Sequence, residues 1–135
     1  MTKQELIEKY PKLFVQRNKP MTETCMCWGI ACGDGWLWII DLLCGAIQDY
    51  IDNYSTCIKG EWIKPKQAEF SQVKEKFGTL RIYVDNSCVR IENMVDFAEY
   101  ISSRTCEICG SMEDVSQTKG AWINTLCKKC MKEKE

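Results

Sequence analysis

The sequence has no histidine. This removes the commonest general base, the commonest mixed ligand of zinc, and every Ser–His or Cys–His catalytic pair. An open catalytic zinc site usually needs histidine, so any zinc held here is expected to be closed and structural. Long apolar runs are missing too: no stretch approaches the ~20 residues that a membrane span requires. Met1-Thr2-Lys3-Gln4-Glu5 is charged and lacks the apolar core of a secretory signal. The expectation is a cytoplasmic protein with no membrane partner. There is no internal repeat and no low-complexity tract.

What is present is a 135-residue chain, 45% apolar, with five tryptophans and ten cysteines. That is enough for one core or for a small core with an appended module. In a reducing compartment clustered thiols point to metal binding or buried packing, whereas a secreted chain would pair them as disulfides. The net charge of −1 conceals an uneven distribution. Residues 1–20 carry five basic and two acidic side chains, residues 21–57 five acidic and none basic, and residues 58–81 six basic and three acidic. Such alternation can separate into an acidic face and a basic face.

Thr2-Lys3-Gln4-Glu5 has capping-box spacing and predicts a short helix over 3–10, ended by Pro11. The segment 21–33 reads as a loop holding Cys25, Cys27 and Cys32. From Trp36 to Tyr54 apolar residues recur at the helical period, with Asp41, Asp49 and Asp52 largely off that face. Ile58 to Ile63 suggests one short strand. Phe70–Glu75 and Thr79–Val84 read as a hairpin turning at Gly78, and 88–103 as another amphipathic helix. Residues 128–135 are charged and read as a frayed helical end. The resulting fold class is α+β: helices packed on a short antiparallel β-hairpin (core, 1–103), followed by a four-cysteine zinc ribbon (104–135).

The ribbon rests on Cys106-x-x-Cys109 and Cys127-x-x-Cys130. A two-residue gap lets both sulfurs of a pair face one ion, and a spacer of 17 residues lies in the usual range for zinc sites. These four cysteines are the expected ligands of one structural Zn²⁺. Trp122, with Ala121, Ile123 and Leu126, is expected to pack beneath the ion, in preference to stacking on a base. Cys25, Cys27 and Cys32 are a weaker pattern. A second metal site would need Cys44, Cys57, Cys88 or a carboxylate as fourth ligand, and free, packed thiols are the favoured reading.

Among the remaining residues, Lys74, Lys76, Phe77 and Arg81 form a basic, aromatic hairpin able to contact phosphates or a partner surface, and Trp36 joins them as a candidate contact. The plainer reading, a solvated strand face with Lys–Glu cross-strand pairs, is the favoured one for this stretch.

Three phrases together, Cys32-Gly33-Asp34-Gly35-Trp36, Val73 to Arg81 (VKEKFGTLR), and CxxCG with a WxxTLCxxC ending, resemble a family of small uncharacterised bacteriophage and bacterial zinc-ribbon proteins. The resemblance spans roughly Cys25 to Cys130. Gly120-Ala121-Trp122-Ile123-Asn124 departs slightly from a tighter Gly-Trp start, without touching a ligand. The resemblance implies the same layout but no activity; a phage setting would favour a protein that acts on host machinery. The leading expectation is a non-enzymatic zinc-binding protein that binds and modulates a host protein or complex. The alternatives are a nucleic-acid-binding regulator using the basic hairpin and a counter-defence sponge for a nucleotide signal.

Overall fold

A computed structural model describes residues 1–134 and shows a mixed α+β protein. The first helix, α1 (Lys3–Lys9), starts as the capping box requires: Thr2 Oγ1 accepts from Glu5 N at 3.1 Å, and Glu5 Oε2 accepts from Thr2 N at 3.2 Å. Residues 10–18 then cross the sheet, where Phe14 meets Phe70 edge to face at 5.2 Å and Phe70 N donates to Leu13 O. The expected loop over 21–33 contains a 3-10 turn (Met26–Trp28) and a two-residue strand, β1 (Ile30–Ala31). Strand β1 pairs in parallel with Val73 and Lys74, a contact too short for any periodic signal.

The principal helix, α2 (Leu37–Asn53), buries Ile39, Ile40, Leu43, Ile47 and Ile51, the apolar face that its 3.6-residue period predicts. Ile58 to Ile63 is not one strand. It is a hairpin, β2 (Thr56–Ile58) and β3 (Glu61–Ile63), because Lys59 (φ 51°) and Gly60 (φ 82°) both turn left-handed between them. The main hairpin, β4 (Glu69–Lys76) and β5 (Thr79–Asp85), turns at Phe77-Gly78 and lies beside β1 in the order β1-β4-β5. Helix α3 (Val89–Ser102) packs on both α2 and β5. It also closes the free edge of the sheet: Ser102 Oγ accepts from Leu80 N at 2.9 Å, and Glu99 Oε2 accepts from Ile82 N at 3.0 Å. Edge amides paired in this way cannot recruit a foreign strand. Burial pushes the Glu99 pKa upward despite that hydrogen bond.

The C-terminal part is a two-stranded ladder, β6 (Val115–Gln117) with β7 (Thr125–Cys127), leading directly into α4 (Lys128–Lys134). The charged tail is therefore helical through Lys134, while Glu135 lies outside the described residues. No helix among the described residues is long and apolar enough to cross a membrane.

Candidate metal centre

Cys106 and Cys109 sit on a tight turn directly after α3, and Cys127 and Cys130 sit at the junction of β7 and α4. Pairing of Val115 with Cys127 and a bond from Glu107 N to Thr125 O (3.0 Å) bring the two pairs face to face. All four sulfurs lie within 4.8 Å of one another, and Cys109 Sγ is 3.6 Å from Cys127 Sγ. Among the described residues no other group of three or more potential ligands converges in this way. Burial works against ionisation of Cys106, yet the peptide N–H groups of Cys109, Cys127 and Ile108 lower its pKa to about 6. Burial and the neighbouring sulfurs push Cys130 the other way. Thiols crowded without a cation resist ionising together, and a bound metal ion would remove that conflict. The arrangement can hold one metal ion.

Beneath the sulfurs lies a small apolar cluster of Leu126, Val115 and Met131. Trp122 is not part of it. Its ring is 76% exposed, so the expected packing under the ion is corrected: Leu126 fills that place and Trp122 faces solvent. Trp36 is corrected in the opposite sense. It is fully buried and its indole N–H donates to Thr105 O at 2.9 Å, which removes it from any contact surface.

The bond from Trp36 belongs to a latch that ties the four-cysteine segment to the core. Gly35 N donates to Glu107 O at 2.8 Å, and Gly33 N donates to Glu107 Oε2 at 2.9 Å. Both glycines are required by proximity. A Cβ on Gly35 would overlap Cys106 O and lie 2.6 Å from the Glu107 carbonyl, and one on Gly33 would lie 2.7 Å from Glu107 Cγ. On the other side Thr125 Oγ1 donates to Gly78 O at the tip of the β4–β5 hairpin. The three phrases that stand out in the sequence therefore meet at one place: 33–36 on the first cysteine pair, Gly78 on the strand entering the second. Sequence reasoning missed this role of Gly33, Gly35, Glu107 and Thr125. The paired glycines before Trp36 were the available signal, but the surface they approach lies some seventy residues away.

Lys74, Lys76, Phe77 and Arg81 do come together. Lys74 is paired with Arg81 across the strands and Lys76 with Thr79, so the two lysines face no glutamate and the expected Lys–Glu cross-strand pairs do not form. Lys74 Nζ lies 5.9 Å from the Tyr83 ring centroid. Arg81 Nε is buried with no hydrogen-bond partner among the described residues. Phe77, at φ 53°, is 66% exposed and lines a cleft with Lys76, Ala121, Trp122 and Ile123. The expected packing of the three thiols is corrected for Cys25, which is exposed; Cys27 is half-buried, and Cys32 is buried, with its pKa raised to about 12 by burial. Asp41, expected on a solvated face, is tied to α1 through Lys9 Nζ (2.9 Å) and Tyr10 Oη (3.0 Å).

No family model, curated protein or solved structure matches this chain.

Proposed function

We propose that the chain is a non-enzymatic, zinc-stabilised binding protein, phage-encoded in the setting its motifs suggest and acting in the host cytoplasm on a host protein or complex. Zinc is the ion that four cysteines suit best. Sulfurs placed tetrahedrally at about 2.3 Å from zinc are separated by roughly 3.8 Å, which the clustered thiols approach closely. Four thiolates would fill the coordination shell, leave no position for substrate, and give the site a structural role.

The observation that carries the binding reading is Phe77. A phenylalanine in the left-handed region costs about 1–2 kcal/mol over an ordinary conformation, and glycine or asparagine would suit this turn better. Here the strain holds an exposed ring beside an exposed tryptophan, with Lys76 on the same cleft. The like-charged pair Lys74–Arg81 next to it is unfavourable within the fold. A partner presenting carboxylates around an apolar spot would cover the ring and offset the repulsion of that pair. A protein is favoured over nucleic acid because residues 104–135 carry six basic and five acidic groups, and zinc with four thiolates adds −2.

Capture of a partner from host extract by the tagged protein tests this. The Lys74→Ala/Lys76→Ala/Arg81→Ala variant should lose the captured partner while melting normally, and unchanged capture would defeat the proposal. The second reading, a nucleic-acid regulator, draws on the same Phe77–Trp122 cleft as a base-stacking site. It requires affinity that falls steeply with salt. A rise in melting temperature with one of a panel of cyclic nucleotides would favour the sponge instead.

A further inference from the structure

Two surfaces of this molecule lack partners, and each has what the other needs. The first is the β2–β3 hairpin. Every residue from Asp52 to Lys64 is exposed, and β2 and β3 pair mainly with each other, so this hairpin stands as an arm. A two-stranded hairpin is marginally stable alone, and this one displays Ile58, Ile63 and Trp62, the last 73% exposed. Its charge is basic: Lys59, Lys64 and Lys66 outnumber Glu61.

The second surface is a groove between α2 and α3. It has a volume of about 230 Å³, and its walls are Trp38, Leu42 and Ala46 on one helix and Met94, Phe97 and Ile101 on the other. These residues recur at helical spacing, so the apolar lining is continuous for about two turns. Leu42 and Phe97 are well exposed on it, at 65% and 64%. Of the six carboxylates on the two helices, Asp41 is paired with Lys9 and Glu99 is bonded to the sheet edge. That leaves Asp49, Asp52, Glu92 and Asp96 against one cation, Arg90, itself stacked on Tyr50 and Tyr54. Asp49 continues the line of Leu42 and Ala46 along α2.

We infer that the arm of one chain seats in the α2–α3 groove of a second copy, with reciprocal exchange making a two-fold dimer. An apolar arm with basic flanks matches an apolar groove with acidic helices, which fixes the orientation as well as the contact. Groove against groove would instead oppose two acidic surfaces. The chain does not fill its own groove, since Trp62 in the arm and Leu42 and Phe97 in the groove are all left exposed. Reciprocal exchange also closes the assembly at two chains rather than propagating a filament. The arm and groove are separate from the Lys74–Phe77–Arg81 face, so this inference does not depend on the proposed binding role.

Sedimentation equilibrium of the full-length, metal-loaded protein tests it. The wild type should sediment at twice the chain mass of 15.7 kDa at about 100 µM, and dissociate as salt is raised. Trp62→Ala in the arm and Leu42→Lys in the groove each alter an exposed side chain. Each alters both contacts of the two-fold dimer, so at about thirtyfold per anchor the dimer should weaken by about a thousandfold, while far-UV circular dichroism stays unchanged. The decisive arm mixes the two variants. One intact arm then faces one intact groove, and a dimer should reappear that neither variant forms alone. A wild type that is monomeric at that concentration overturns the inference. So does a dimer indifferent to either substitution, or an equimolar mixture that stays monomeric.

Discussion

Replacing Gly35 by alanine places one methyl group where the structure has no room for it. The new Cβ would overlap Cys106 O and sit 2.6 Å from the Glu107 carbonyl. The opposing atoms are backbone of Cys106 and Glu107, held by bonds from Cys106 N to Ser111 O (2.8 Å) and from Glu107 N to Thr125 O (3.0 Å), so they have no rotamer by which to move aside. Overpacking of this kind costs about 1–3 kcal/mol. Separation of the two surfaces would also stretch the bonds from Gly35 N to Glu107 O (2.8 Å) and from Trp36 Nε1 to Thr105 O (2.9 Å), each contributing about 1 kcal/mol. A total of about 3–5 kcal/mol should lower the melting temperature by roughly 10–15 °C in a chain of this size. Gly60→Ala provides the comparison. Its Cβ would meet nothing within 4 Å, so only the left-handed backbone at φ 82° is strained, at about 1 kcal/mol. Differential scanning calorimetry of both variants, with metal release followed by a chromogenic chelator, reads the difference. Gly35→Ala should melt well below Gly60→Ala and lose its ion faster. If the two melt together, the latch between residues 33–36 and the cysteine pair does not carry the energy assigned to it.

Metal analysis should give about one zinc per chain, and chelation should shift tryptophan emission to the red as Trp36 loses its buried bond to Thr105; an unchanged spectrum would separate the core from the metal. Ser102→Ala leaves the buried Leu80 N–H unpaired and should lower stability in urea by about 1–3 kcal/mol, with faster amide exchange at Leu80. A loss below about 0.5 kcal/mol would count against the edge cap. The hydrogen bond from Lys9, aided by Tyr10, holds Asp41 below its ordinary pKa of 3.8. A depressed carboxyl stabilises the fold above its unfolded pKa, and that contribution disappears as pH falls through the lower folded value. Asp41→Asn should therefore melt below the wild type at neutral pH and converge with it in acid; a constant gap across pH would contradict the pairing.

The elements with many periodic residues were legible in the sequence. The face of α2 and the alternation in β5 follow directly from spacing, and so does the convergence of four cysteines, because two-residue gaps leave little choice of geometry. What the sequence hid was long-range. Strand β1 is two residues long and exists only because Val73 and Lys74 lie beside it. Lys59 carries no turn signature, so the arm looked like one strand. The two misplaced tryptophans share a cause. Side-chain chemistry makes Trp36 and Trp122 equally suited to a core or a surface, and only Thr105 for one and the open cleft for the other decide between them. The paired glycines were visible, but the surface they must clear belongs to Cys106 and Glu107, far along the chain.

Thr125 has a consequence beyond holding the fold together. Its hydroxyl grips Gly78 at the hairpin tip, and its carbonyl accepts from Glu107, the residue after the first cysteine. The four-cysteine cluster and the Phe77–Trp122 cleft thus share a structural support in Thr125, so an ion bound at one and a partner bound at the other would both act on it. A partner that closes on the cleft only in the metal-loaded form must, by reciprocity, raise affinity for the ion by the same factor that the ion raises affinity for the partner. For such a partner, the chain would hold a metal ion more tightly while engaged than while free.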